Sequence, residues 1–458
     1  MTDRSRPGSR RRVALQRDRR INPMVMLSIG VPLLTVAALA SVSPSPTEDP
    51  GRAPGTAPLS SSVVVCPPAR GDVDDVRVAL ANTSQSGTIR VAGAPDVTIS
   101  GGALSTVGRS SYVVLRAEGD LASGLVASRT GETAAVACTP PDSDVWFTGV
   151  GAGPEHSSVL HLVNPDAGPA LADVTVHGPG GVREVAGLRG LAVPARGEIE
   201  LDLSRVAPAR NDLTIRIQVS RGRLASSVMD RIDELGSASR AVSWLPANDA
   251  PSRDPLLLGV ARGGGDRTLV VTNDGSDETR VNVLAVTAES EFAPAGVEPV
   301  NVPPGATVTV SLSDLLRSDV VDGLVGLRLE SREPVSAQLR TRTGSDLTHA
   351  VAAPLLSATA AGVVAAGPKR LVLAGADAVT EVTVVQRDAG GRELEPVRVT
   401  MRPGRGRRLG LDPRARWVEV QMDGGRVAAA LEAGAGGVRP LFELVTESLV
   451  PDVRPALY

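Results

Sequence analysis

Apolar and polar residues alternate with a period of two through much of the chain. Clear examples are Ile199-x-Leu201-x-Leu203, Ile215-x-Ile217-x-Val219 and Val308-x-Val310-x-Leu312. A period of two sends one set of side chains inward and the other to water, which is the signature of half-buried strands. The runs are punctuated by Asn164-Pro165, Pro179-Gly180-Gly181, Asn273-Asp274-Gly275 and Pro303-Pro304-Gly305, residues that supply turn conformations. Helical periodicity is nearly absent, and single helical turns are expected only over 206–210 and 313–317. The pattern predicts an all-β chain.

One stretch breaks the pattern. Met24 to Val42 is 19 residues without a charge. At about 1.5 Å per residue, a helix of that length nearly spans a bilayer core of roughly 30 Å. Residues 1–22 before it carry eight Arg against Asp3 and Asp18, and a positive flank stays cytoplasmic. Two readings follow. In one, residues 23–42 are an uncleaved signal anchor. In the other, the segment is a cleavable signal, because Ala38-Leu39-Ala40 before Ser41 resembles a processing site. Both send the rest of the chain out of the cytoplasm. Residues 43–61, rich in Pro, Ser, Thr and Gly, read as an extended linker.

Self-comparison reveals a repeat. The segments beginning at Val193-Pro194 and Val302-Pro303 align without a gap at a spacing of 109, as do Asn164 and Asn273, each closing an apolar run. Ser220–Arg231 matches Ser331–Arg342 at a spacing of 111. Weaker echoes appear in Val76–Asn82, Leu121–Arg129, Met401–Leu411 and Gly424–Ala433. A junction motif recurs as VVVCPP at 63–68, AVACTP at 135–140, AVSWLP at 241–246 and AVAAPL at 350–355. Four units are therefore expected at 63–142, 143–250, 251–358 and 359–450, with a tail at 451–458. Six or seven short strands in about 100 residues suggest immunoglobulin-like β-sandwich repeats, arranged as a rod or an arc. The alternative is a propeller with large blades.

The basic tail, the single apolar segment, the Pro-rich linker and the repeated N-P, V-x-V and V-P-P-G units resemble a family of uncharacterised actinobacterial envelope proteins, defined only as a domain of unknown function. The resemblance implies an extracytoplasmic location and brings no activity with it.

Composition narrows the chemistry. The chain has 458 residues, 8 aromatics and a formal net charge of −3; residues 1–22 hold +6, so the rest carries −9. An acidic body is a poor binder of nucleic acid. Lys369 is the only lysine. Cys66 and Cys138 occupy equivalent places in two junction motifs and bracket the first unit. In an oxidising compartment they form a disulfide, which stabilises by roughly 4 kcal/mol for such a loop; otherwise they are buried thiols. Of the four histidines, His161 and His177 fall on adjacent strands, where a metal pair is conceivable and a partly exposed strand histidine is the plainer expectation. His156, His161 and His177 share one unit that has no nucleophile-elbow motif for a Ser-His-Asp triad. Arg262-Gly263-Gly264-Gly265-Asp266 precedes a strand rather than a helix, so it reads as a loop and not a phosphate cradle. Asp72, Asp74 and Asp75 lack the spacing of a calcium loop. No cofactor is called for.

The strongest local charge feature is Arg402, Arg405, Arg407, Arg408, Arg414 and Arg416 beside Trp417. It is either an anion-binding patch for an envelope polymer or lipid headgroup, or a solvated hairpin balanced by acids. The expectation is a non-enzymatic scaffold or interaction protein of the cell envelope, held to the membrane by its N-terminal helix and touching another envelope protein or a cell-wall component. The alternatives are an anionic-glycan binding module and a cell-wall hydrolase or transferase.

Overall fold

The computed structural model describes residues 55–69, 73–108, 111–131, 134–233, 240–433 and 437–450. The basic tail, the apolar segment 23–42, most of the linker and the tail at 451–458 lie outside them. Among the described residues no helix is long and apolar enough to cross a membrane.

The described chain is all-β, with open sheets, and its larger sheets come in pairs. In the second repeat one sheet runs Asp144–Val150, Leu213–Arg221, Ala170–Gly178, Gly181–Arg183; the other runs Glu198–Asp202, His156–Val163, Ala225–Asp233, Arg240–Leu245. The third repeat reproduces this order strand for strand: Leu256–Leu258, Leu324–Glu330, Thr279–Thr287, Glu291–Phe292, facing Thr307–Ser311, Asp266–Asn273, Val335–Thr343, Asp346–Val351. The first and fourth repeats share it. A propeller blade requires consecutive strands to be neighbours in one sheet, and these sheets are interleaved instead, so the propeller alternative fails. The alternating pattern fills one core per repeat. In the second, Val176 faces Ile215 and Val174 faces Ile217 across the strands, and they meet Leu160, Leu162 and Val228 of the opposite sheet.

Helical turns stand at Leu203–Val206 and Ser313–Arg317. The first begins three residues earlier than the expected 206–210, because the Asp202 side chain accepts from the Ser204 N–H at 3.0 Å and caps the turn there.

The 109-residue repeat has a physical reason. Asn164 is buried, and its Nδ2 donates to the carbonyls of Gly168 (2.8 Å) and Val193 (3.3 Å), while its Oδ1 accepts from the Asp166 N–H (3.0 Å). Asn273 does the same with Asp277 (2.7 Å), Val302 (3.2 Å) and Gly275 (2.8 Å). Each clamps the turn after a core strand to the Val-Pro segment that follows. Gly197 and Ala306 complete the clamp by accepting from the backbone N–H groups of Asn164 and Asn273.

The repeats close on themselves and form neither a rod nor an arc. Val63, Val65 and Val114 of the first pack on Val163 and Ala225 of the second. Leu256, Leu258 and Val325 of the third pack on Val372, Ala374 and Ala428 of the fourth. Ala79 of the first then meets Ala361, Val363 and Trp417 of the fourth. The Leu104 N–H donates to the Ala389 carbonyl at 3.1 Å across the same joint. Gly391 sits there at φ +85°, and a Cβ on it would press on the backbone of Gly102 and Ala103. Residues 56–448 accordingly form one compact unit.

The Asn clamp generates a prediction. Asn164→Ala or Asn273→Ala removes three hydrogen bonds and strands buried partners, costing about 2–3 kcal/mol. Urea unfolding of each variant checks this, and a loss within about 0.5 kcal/mol of zero, the size of a neutral surface change, contradicts it.

Candidate functional site

The joint between the second and third repeats differs from the other three because it is polar. His156 opens the second strand of its repeat, and its ring lies between two carboxylates. Nδ1 is 2.8 Å from Asp212 Oδ1 and Nε2 is 2.8 Å from Asp230 Oδ1. Arg340, from the third repeat, holds Asp212 with both terminal nitrogens, at 2.8 and 3.1 Å. Ser158 donates to Asp230 at 2.5 Å. His349 of the third repeat stands with Nε2 3.6 Å from Asp230 Oδ2. None of the five ionisable side chains is more than 15% exposed.

Burial disfavours charge on His156, yet the charge of Asp230 and hydrogen bonds to Asp212 and Asp230 outweigh it and raise the imidazole to about 9. Burial would raise Asp212, but His156 and Arg340 hold it well below the ordinary carboxylate range. Asp230 is also lowered despite complete burial, chiefly by the charge and hydrogen bond of His156. Burial pushes His349 down to about 4, with the charges of Arg340 and His156 adding to the effect against the pull of Asp230. The joint thus holds two cations, two anions and one neutral imidazole, a balanced set.

A belt of neutral hydrogen bonds surrounds it. Thr148 and Ser336 hydroxyls are 2.6 Å apart, and Asn248 Nδ2 donates to both, at 2.6 and 2.7 Å. Thr214 and Thr272 meet at 2.6 Å. His177 Nδ1 lies 3.0 Å from the Gly305 carbonyl. Gly149, at φ +78°, lets the two backbones approach, since a Cβ there would collide with the side-chain amide of Gln338.

The arrangement is suited to holding and not to proton transfer. Both nitrogens of His156 are engaged by carboxylates, so neither is left to accept a serine proton, and Ser158 gives its proton to Asp230. This removes the basis for a triad on His156. His161 and His177 are 1% exposed each, not partly exposed, and pack in tilted contact with Trp244 and Trp146, at ring-centroid distances of 5.7 and 5.3 Å respectively. Among the described residues no group of three or more His, Cys, Asp or Glu side chains is placed to hold a metal ion. Asp75 pairs with Arg77 at 3.0 Å, and Asp72 lies outside the described residues. The glycine run precedes strand Asp266–Asn273 as a loop, with Arg262 paired to Asp319.

The six arginines divide. Arg408 donates to Glu432 (2.8 Å) and to the carbonyls of Leu324 (3.0 Å) and Val260 (3.2 Å), so it bolts the fourth repeat to the third. Arg414 pairs with Asp412 at 2.9 Å, and Arg416 donates to the Pro413 and Ala415 carbonyls. Arg402, Arg405 and Arg407 are exposed around a small hollow. Trp417 is fully buried in the joint with the first repeat. Trp244, in the junction motif at 241–246, is half-buried. Cys66 and Cys138 form a disulfide that ties the opening strand of the first repeat to its closing segment, where Val65 and Thr139 exchange backbone hydrogen bonds of 2.8 and 3.0 Å.

Sequence reasoning missed the charged joint. Its members come from positions 156, 212, 230, 340 and 349, and no spacing connects them.

Fold and site together define a class: a closed set of four two-sheet β repeats whose most elaborate polar cluster is an internal joint. The chain belongs to the family of unknown function DUF5719, which residues 102–412 match. No curated protein matches the chain.

The joint makes stability depend on pH in two directions. His156 is raised in the fold, so its contribution is complete below about 6.5, the unfolded value, and is lost as pH rises toward 9. His349 is depressed, so its contribution is complete above about 6.5 and is lost as pH falls toward 4. Unfolding free energy measured against pH should peak near neutrality. His156→Gln should flatten the alkaline limb and His349→Gln the acid limb; unchanged limbs in both variants contradict the assignment.

Proposed function

We propose that this chain is a non-enzymatic, extracytoplasmic scaffold of the cell envelope, carried on an N-terminal single-pass helix and presenting immunoglobulin-like repeats. The observation that carries this reading is the Cys66–Cys138 disulfide, since such bonds persist in oxidising compartments. The uncharged run Met24–Val42 behind a basic flank supports the same topology. The repeats support the immunoglobulin-like description in their central strands. His156–Val163 pairs with Glu198–Asp202, and Ala170–Gly178 with Leu213–Arg221, which is the B–E and C–F pairing of that fold. The edge strands are exchanged: the opening strand Asp144–Val150 lies beside Leu213–Arg221, and Ala225–Asp233 lies beside His156–Val163.

The charged joint supports a structural role because its ionic groups serve one another. Its partners, on this reading, are an envelope protein or a cell-wall component. An anionic glycan is the second reading, favoured by the exposed Arg402, Arg405 and Arg407 and not by their internally engaged neighbours.

The test is protease added to intact cells or spheroplasts expressing the chain with a C-terminal epitope. The epitope should be digested without lysis, and the recovered chain should carry Cys66 and Cys138 oxidised. Full protection of the epitope, with both cysteines reduced, contradicts the proposal.

A further inference from the structure

A second feature lies away from the charged joint, between the third and fourth repeats. A cavity of about 400 Å³ opens there, within the range of small-ligand sites. Arg267 and Thr341 line it from the third repeat, and Lys369 and Arg370 from the fourth.

Its electrostatics are unusual for an acidic body. Arg267 Nη1 donates to Thr341 Oγ1 at 2.8 Å and Nη2 to the Gly264 carbonyl at 3.0 Å, yet the buried Nε has no hydrogen-bond partner and no carboxylate pairs with the group among the described residues. A guanidinium presents five N–H donors in a planar fork, so Arg267 retains donors for an oxyanion. Lys369 Nζ is held by the carbonyls of Ala366 (3.0 Å), Gly367 (3.0 Å) and Pro413 (3.2 Å), again without a carboxylate. Burial, with the charge of Arg416, pushes this ammonium down to about 8 against the pull of the Asp412 carboxylate. Two acids line the cavity. Glu432 is shared by Arg408 at 2.8 Å and Arg370 at 3.9 Å, and Asp346 stands at the exposed rim, so Arg267 is the lining cation furthest from balance. Low-dielectric walls around excess positive charge concentrate anions. Thr341 and Thr348 add hydroxyls that donate or accept.

We propose that the cavity between the third and fourth repeats binds a small anionic sugar derivative, a sugar acid or a sugar phosphate, with Arg267 on the acid group and the threonine hydroxyls on the ring hydroxyls. The site is independent of where in the cell the chain works, so its failure would leave the envelope reading standing, and the reverse.

Lys369, the only lysine, is a built-in reporter. In the full chain labelled with ¹³C-lysine, its Cε resonance should titrate near 8 and not at the ordinary 10.5. Glucuronate and glucose 1-phosphate are added separately, with glucose and inorganic phosphate as controls. At least one of the two anionic sugars should shift the resonance, with a Kd of about 1 mM or tighter, and raise its midpoint; the arm that binds identifies the source of the charge. Glucose should do nothing. Arg267→Gln should weaken binding at least about tenfold, the loss of a charged hydrogen bond. Arg370→Gln, at an exposed position, should weaken it about threefold and covers the case in which the Arg267 variant fails to fold. The triple variant Arg402→Ala, Arg405→Ala, Arg407→Ala should bind normally. No shift from either anionic sugar overturns the proposal. So does inorganic phosphate binding as tightly as both, or binding lost in the triple variant alone.

Discussion

The constraint on which this structure depends is closure, the contact of the fourth repeat with the first. Each repeat has its own core, but each also carries apolar side chains on the outward faces of its sheets. Trp417 is the clearest case. It stands on the strand Trp417–Asp423, points away from the core of its own repeat, and is fully buried only because Ala79 and its neighbours lie over it. Arg439 has the same dependence, since it donates to Ser128 of the first repeat at 2.9 Å. Opening the ring would expose an indole and leave a guanidinium partner behind, at a cost of several kcal/mol.

The joints achieve contact by different means. Three are apolar patches secured by an arginine: Arg116 on the Pro165 carbonyl, Arg408 on Leu324 and Val260, Arg439 on Ser128. The fourth is the ionic cluster of His156, Asp212, Asp230, Arg340 and His349. A buried ion cluster is a weak source of net stability because desolvation offsets the attraction, but removing a single member is severe, since it leaves an uncompensated charge. Such a cluster tolerates one relative placement of its two repeats, whereas apolar patches tolerate several. The second and third repeats, most alike in sequence, are also the pair held this way.

Much of the fold was legible. Strict alternation marked the strands, and Asn164 with Asn273 betrayed the repeat because one hydrogen-bonding task recurs at one place. The disulfide was legible because both cysteines occupy the same motif. Closure was not, because alternation reports only which residues face inward, and Ala79, Ala361 and Val363 read as ordinary strand positions. The arginine cluster illustrates the converse. Six cations close in sequence suggested one surface, but alternation and turns send Arg408 into a joint while Arg402, Arg405 and Arg407 stay in water. The charged joint assembles from two repeats at long separation, and local pattern carries no information at that range.

Closure is tested most directly by a short cross-link across the joint between the fourth and first repeats. Ala389 accepts the backbone hydrogen bond from Leu104 and Thr106 lies two residues beyond Leu104, so Thr106→Cys and Ala389→Cys place one thiol on each side of the joint, and the native cysteines are already paired. Bismaleimidoethane added to the folded, monomeric double variant should join the two positions within one chain, read by peptide mass spectrometry. Cross-links that form only between chains, or only after denaturation, would contradict a closed ring.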